Sequence, residues 1–187
     1  MSVAALALAL ALSSNAPAQV EVRALDGAHS AAEFEAHLRL PIRGVGHFSQ
    51  MSGELTGEPA LGWQVTLRID GRNLRFEGPA WMGTITRSRA FLDVAEFPNI
   101  VLHTGTIPDA VLHRGGQVRG ELTLRGVTRP ATFVVRAPRC ARPGQDCDLE
   151  VQGTVSRRDF GMSGYRFTLR DGVDVRVHLR WRTEPAQ

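Results

Sequence analysis

Residues 173–181 read VDVRVHLRW, and apolar and polar side chains alternate along the whole stretch. Successive side chains of a β-strand point to opposite faces of the sheet, so such a strand has one apolar face and one polar face. Residues 33–40 (EFEAHLRL) and 63–70 (WQVTLRID) repeat the pattern. Strands of this kind are typical of an antiparallel sheet that is buried on one side and wet on the other.

Further apolar runs predict additional strands over 100–106, 118–124, 131–137 and 149–155. Gly, Pro and Asp separate these runs, and a strand recurs about every ten to fifteen residues, which favours a sandwich or a barrel. An eight-stranded barrel is either filled by its own side chains or holds one small ligand, and periodicity alone does not separate the two cases.

One short helix is expected among the strands, over residues 88–96. Ser88 is a residue type that caps helix N-termini, and Pro98 would end the helix. Phe91, Leu92 and Phe97 would then pack inward. One short helix leaves the predicted class all-β.

The composition fits a single folded domain of 187 residues, with 43 % hydrophobic and 22 % charged side chains. All 22 basic residues are arginine, which excludes a lysine Schiff base and a phosphate-loop lysine. The net charge is only +3, and the arginines are interspersed with acidic residues. This pattern does not favour a nucleic-acid partner.

The N-terminus has the pattern of a signal peptide. The apolar run from Val3 to Leu12 is shorter than the roughly 20 residues that span a bilayer. Ala16-Pro17-Ala18 fits an Ala-x-Ala cleavage site, although no basic residue precedes the run. The sequence therefore predicts a signal peptide over 1–18, export, and a mature domain over 19–187; a buried first helix is the alternative.

Cys140 and Cys147 are the only cysteines, with six residues between them. Export would place them in an oxidising compartment, so we expect a disulfide that joins two strands. The spacing is not the Cys-x-x-Cys of a redox pair, and two cysteines fall short of a four-ligand metal site.

No motif for catalysis or metal binding is evident. None of the six histidines lies in a metal motif such as His-Glu-x-x-His, and residues 161–164 lack the Gly-x-Ser-x-Gly spacing of a nucleophile elbow. Arg157-Arg158-Asp159 is either an ion-pair cluster or, as we favour, a structural group that fixes the turn into Phe160 and Met162. The sequence thus predicts no enzyme, no catalytic residue and no metal site.

Five segments, taken in order, resemble the YceI-like proteins, the lipocalin-like polyisoprenoid-binding family. They are HSAAEF (29–34), GHF followed by GEL (46–55), FLDVAEFPNI (91–100), VRGELTLRGVT (118–128) and SRRDFGM (156–162). One departure precedes the third segment, where Ile85-Thr86 stand in place of the family's His-Leu.

The resemblance implies an eight-stranded antiparallel lipocalin-like barrel with an elongated apolar tunnel. It also implies a periplasmic location, an isoprenoid or isoprenoid-quinone ligand, no other cofactor and, in many members, a homodimer. The expected function is to bind or carry a long apolar lipid, with membrane contact for lipid exchange. The rival functions are a barrel enzyme, either a hydrolase or a quinone-linked redox partner, and a filled barrel that acts as a stress-related interaction protein.

The apolar strand faces supply the predicted ligand-binding residues, for each of which ordinary core packing is the alternative. Those expected along the tunnel are Phe34, Ala36, Leu38, Phe48, Val65, Leu67, Ile69, Leu102, Leu122, Leu124, Phe133, Val135, Val175 and Val177. Those expected to close one end are Phe91, Phe97, Phe160 and Met162.

Overall fold

The computed structural model describes residues 20–39 and 43–182, so the predicted signal peptide over 1–18 lies outside the described residues. The described chain forms eleven strands and two short helices. Two 3₁₀ turns, Gly71–Asn73 and Arg157–Phe160, follow β5 and β10. The elements are β1 (Glu21–Ala24), β2 (Ala31–Leu38), β3 (Arg43–Phe48), β4 (Met51–Glu58), β5 (Gly62–Asp70), β6 (Leu74–Glu77), α1 (Ala80–Arg87), β7 (Asn99–Thr104), α2 (Asp109–Arg114), β8 (Gly116–Leu124), β9 (Val127–Val135), β10 (Leu149–Ser156) and β11 (Leu169–Leu179).

All strands belong to one curled sheet in the order β1-β4-β5-β7-β8-β9-β10-β11-β2-β3-β6, and every neighbouring pair is antiparallel. The sheet curls until the chain after β1 meets the chain after β11, where Leu25 pairs with Trp181. The amide of Asp26 donates to the carbonyl of Arg180 at 2.8 Å. The predicted all-β, antiparallel class is confirmed.

The strand count of eleven corrects the expected eight. The two strands at the ends of the sheet, β1 and β6, have four residues each. A four-residue strand has only two side chains on each face, which is too few to establish an alternating pattern in the sequence.

The alternation in the sequence corresponds to the two faces of the sheet. In β5, Trp63, Val65 and Leu67 are buried, whereas Gln64 and Arg68 are exposed. In β11, Val177 and Leu179 are buried and Arg176 is exposed. The apolar faces of all the long strands therefore point to the inside of the curl.

The predicted helix over 88–96 is wrong, because the helix of this region spans Ala80–Arg87 and so begins eight residues earlier. Ser88 ends this helix instead of starting one: its amide donates to the carbonyl of Ile85 at 3.0 Å, and its Oγ to the same oxygen at 2.7 Å. Residues 89–97 then form turns, with Asp93 at a φ of 47° that does not continue a helix. Ser is common next to either end of a helix in sequence, so its identity did not determine which end it occupies.

The disulfide is confirmed between Cys140 and Cys147, whose Cα atoms are 6.1 Å apart. Both cysteines lie in the connection between β9 and β10, so the expectation that the bond joins two strands is wrong: it closes a loop within that connection. The closed loop packs on the end of the sheet, because the amide of Trp181 donates to the carbonyl of Gly144 at 2.7 Å. Within residues 20–39 and 43–182, no helix has the length and apolar character needed to cross a bilayer.

Replacing both cysteines with serine should lower the free energy of unfolding by about 2–3 kcal/mol, because the bond closes a short loop in the unfolded chain. Urea denaturation followed by circular dichroism measures this change. The unmodified protein in reducing agent should shift to the same midpoint. An unchanged midpoint in both would show that the loop is held without the bond.

Candidate functional site

The curled sheet encloses a cavity of about 490 Å³. Aliphatic and aromatic side chains make up most of its wall. Clefts that hold small organic ligands in proteins measure about 300–1,000 Å³ and are mostly apolar. The barrel is therefore hollow and its interior suits an apolar molecule.

Sixteen of the eighteen predicted ligand-binding residues lie in the wall of this cavity. They come from seven different strands and from the two turn segments after α1 and β10. The sixteen are Phe34, Ala36, Leu38, Phe48, Val65, Leu67, Ile69, Phe91, Leu102, Leu122, Leu124, Phe133, Val135, Met162, Val175 and Val177.

Phe97 and Phe160 lie outside the wall, unlike the other predicted residues. Phe160 is buried in the 3₁₀ turn after β10 and packs in a separate cluster with Leu122 and Leu169. The Phe97 ring covers the β8–β9 turn, where a methyl group on Gly126 would lie 2.8 Å from it. Both rings stabilise turns next to the cavity.

Helix α1 supplies wall residues that the sequence prediction did not include, namely Trp81, Met82, Ile85 and Thr86. They were missed because the helix was expected further along the chain. The available signal was the helical spacing of Met82 and Ile85 after Pro79, a residue that commonly precedes a helix. Further wall residues from strands include Ile100, Val118, Leu149, Val151 and Leu179.

Small residues on β3 let aromatic side chains of the cavity wall pack close to the sheet. On β3, Gly46 pairs with Phe34 and Gly44 pairs with Ala36 of β2. A methyl group on Gly46 would overlap the Phe34 ring, so the ring packs directly on the glycine. The Phe34 and Phe48 ring centroids are 5.6 Å apart, and Ala36, a small residue on the same strand as Phe34, belongs to the cavity wall.

The cavity opens between α1 and the segment 161–169. The exposed residues in its wall are Trp81, Tyr165 and Thr168, and all three belong to these two segments. The Tyr165 ring stacks on Phe91 with centroids 5.8 Å apart, and the amide of Phe91 donates to the carbonyl of Ser88 directly after α1. We call the opening formed by α1 and residues 161–169 the mouth.

Arg157 is a buried cation at the base of the mouth, with 1 % of its surface exposed. Its guanidinium donates to backbone carbonyls only: to Arg170 at 3.0 Å from Nε, to Gly164 at 2.7 Å and Met162 from Nη1, and to Leu169 at 3.4 Å from Nη2. Desolvation lowers the pKa of Arg157, and Asp171 opposes this shift. The Arg157 side chain thus has a structural role, as predicted, but it holds residues 162–170, which extend beyond the predicted turn into Phe160 and Met162.

Besides Arg157, the charged residue in the cavity wall of the described chain is Glu33. Glu33 lies between the inward-facing Ala32 and Phe34, and its carboxylate is 3.2 Å from Nδ1 of His47. His37 is 2.8 Å from Asp174, and the pKa of Asp174 is lowered first by the Thr154 hydroxyl and then by His37. Over the described ranges, no three His, Cys, Asp or Glu side chains converge as metal ligands.

Comparison with known proteins gives one family and several structures. A family model described as the YceI-like domain matches residues 24–181. The fold is similar to BcnA of Burkholderia cenocepacia, with a TM-score of 0.68 and 18 % identity over 85 % of this chain and 99 % of that one. No curated protein of similar sequence was found.

Two more solved structures share the fold. One is a polyisoprenoid-binding domain from Saccharophagus degradans that is implicated in plant cell wall breakdown, with a TM-score of 0.62 and 16 % identity over 86 % of this chain and 98 % of that one. The other is the YceI protein of Campylobacter jejuni, with a TM-score of 0.58 and 17 % identity over 74 % of this chain and 85 % of that one.

Replacing Arg157 with methionine should destabilise the protein by about 3 kcal/mol or more, because several buried carbonyls would lose their donors. Arg157→Lys should be intermediate, since an ammonium group has three donors and no planar fork. The control is Arg158→Met, because this neighbouring arginine is exposed and its Nε lies 3.5 Å from a carboxylate oxygen of Asp171. This change should lower the free energy of unfolding by less than about 1 kcal/mol. Equal urea midpoints for the two methionine variants would contradict the structural role of Arg157.

Proposed function

The chain belongs to the YceI-like family, and on this premise we propose that it is a periplasmic binding or carrier protein for a long apolar lipid, held in the cavity. The observation that carries the proposal is a hollow interior of about 490 Å³ with an almost wholly apolar wall. A lipid chain in that space would be removed from water along most of its length.

The favoured ligand class is a polyisoprenoid or an isoprenoid quinone. The Saccharophagus relative of the same fold is a polyisoprenoid-binding domain, which supports this class. Ile85 and Thr86 stand at the positions where the family carries His-Leu, and both belong to the cavity wall. The wall therefore has an isoleucine side chain where the family's imidazole would be. This wall suits a hydrocarbon chain better than a polar group.

Apolar contact alone is sufficient for tight binding. Each buried methylene is worth about 0.8 kcal/mol, so ten of them contribute roughly 8 kcal/mol before the cost of association. No hydrogen bond is needed for affinity. The length and width of the cavity would then set selectivity.

The two rival functions fit the interior less well. A barrel enzyme needs convergent polar groups, but the guanidinium of Arg157 is engaged by backbone carbonyls and the Glu33 carboxylate pairs with His47. A filled barrel with an interaction role would have its interior occupied by side chains, whereas the cavity is open. Binding without catalysis is therefore the favoured function.

The proposed location rests on two features of different strength. A disulfide fits an oxidising compartment such as the periplasm. The signal peptide over 1–18 is a prediction from the sequence pattern. Together they favour export of the domain.

Native mass spectrometry of protein purified from its source should show a mass increment from one bound apolar molecule. Extraction into organic solvent should remove the increment and allow the molecule to be identified. Clean apo protein that also takes up neither geranylgeraniol nor oleic acid would contradict the proposal.

Replacing Ala36 with tryptophan should abolish or strongly weaken uptake of geranylgeraniol, because an indole would fill the open space in the wall. The matched control is Ala31→Trp on the same strand, since Ala31 is exposed and lies outside the wall. Uptake is measured as the loaded fraction in native mass spectra. Equal loading of both variants would remove Ala36 from the binding site.

A further inference from the structure

Exposed aromatic side chains are concentrated at the mouth. Trp81, Tyr165 and Phe167 are 53 %, 52 % and 77 % exposed, and they are the exposed aromatic residues of the described chain. Trp81 and Tyr165 also belong to the cavity wall, and Phe167 lies between Tyr165 and the wall residue Thr168. A soluble protein without an apolar partner rarely gathers such side chains in one place.

Direct contacts bring the segments around the mouth together. The amide of Arg39 donates to the carbonyl of Thr168 at 2.8 Å, which places the end of β2 beside residues 161–169. A methyl group on Gly44 would lie 2.7 Å from the Met82 side chain, so β3 begins against α1. Residues 38–39 and 43–44, α1 with its flanks, and residues 161–170 therefore form one face.

This face carries an excess of positive charge. The sequence stretches 38–44, 79–91 and 161–170 contain six arginines and no acidic residue. The other 16 arginines are outnumbered by the 19 acidic residues of the chain. The mouth is thus basic in a protein whose remaining sequence is slightly acidic.

Three of these arginines are available to a partner. Among residues 20–39 and 43–182, no carboxylate lies within ion-pair distance of Arg39, Arg166 or Arg170, and all three are exposed. Arg43 and Arg89, in contrast, lie 3.7 Å from Glu35 and 3.9 Å from Asp93. The guanidinium of Arg166 lies over the Phe167 ring, 4.9 Å from its centroid.

We propose that the mouth face docks on the surface of an anionic lipid bilayer, so that the cavity opens onto the source of its ligand. This inference rests on the proposed function, because a long apolar lipid resides in a membrane. Tyr and Trp rings favour the interface between headgroups and hydrocarbon, and arginines near an anionic surface are attracted to it. The aromatic rings and the unpaired arginines occur together where such a surface would meet the mouth.

The charge pattern disfavours a second copy of the chain as the occupant of this face. In a two-fold dimer the same patch meets itself, so the unpaired arginines of both copies would be brought together. Like charges at close range repel, and no acidic residue in these stretches would offset them.

The test is flotation of the full chain with vesicles of phosphatidylcholine alone or mixed with phosphatidylglycerol. We expect binding to the mixed vesicles that weakens as salt is raised. Phe167→Ser and the double variant Arg166→Glu/Arg170→Glu should each reduce the bound fraction, the double variant by roughly tenfold or more. None of these three residues belongs to the cavity wall, so uptake of geranylgeraniol from detergent solution should be unchanged.

Matched controls lie at the opposite end of the sheet. There, α2 precedes β8, and the β4–β5 turn is held to it by the Trp63 Nε1 donation to Asp109 at 2.9 Å. Leu61→Ser removes an apolar side chain that is 74 % exposed, and Arg114→Glu/Arg119→Glu makes the same change in charge as the mouth variant. Both controls should bind vesicles as the unmodified chain does. All the proteins compared have the same N-terminus, so a difference in binding between them does not come from that segment.

Three results would overturn the inference. They are vesicle binding by the mouth variants equal to that of the unmodified chain, equal losses in the controls, and a dimer in light scattering that Phe167→Ser dissociates without any vesicle binding. Failure of the unmodified chain to take up geranylgeraniol from detergent would instead overturn the proposed function. Uptake from detergent is measured separately from vesicle flotation, so the two failures are distinguishable.

Discussion

A sheet with one apolar face has to bury that face, and the described chain offers little besides the sheet itself to cover it. The two helices have eight and six residues, which is far too little to cover eleven strands. The sheet therefore curls until the chain after β1 pairs with the chain after β11. Gly44 and Gly46 of β3 let Phe76 and Phe34 pack close against the sheet, and the curl encloses a cavity rather than a filled core.

At one end of the barrel, chain without regular secondary structure completes the wall, and the backbone of that chain contains buried polar groups. Buried carbonyl groups need hydrogen-bond donors, and residues 162–170 do not belong wholly to a strand that would provide them. Arg157 meets the need with one planar guanidinium that serves several carbonyls. The hydrogen bonds to these carbonyls offset the cost of burying the cation, and they order the mouth, where the Tyr165 ring stacks on Phe91.

Roles are therefore divided along the axis of the barrel. The interior provides apolar surface and volume, while the exposed aromatic rings of the described chain are gathered at the mouth. The three solved structures keep this fold at 16–18 % identity. Such divergence is compatible with a shared architecture because cores tolerate extensive exchange of hydrophobic residues when the alternating pattern and volume are kept.

The sequence by itself determined the all-β class, the disulfide and most of the cavity wall, because each follows from local spacing: a period of two places a side chain inside or outside, and two nearby cysteines have few other partners. Only the tertiary structure decided where the helix lies, since Ser88 is compatible with either helix end, and how many short strands extend the sheet. It also decided that Phe97 and Phe160 cover turns, that Arg157 is buried, and that Trp81 and Phe167, 86 positions apart in the chain, share one face. These features depend on which distant segments the curl of the sheet brings together, and a pattern of period two contains no information about the amount of curl.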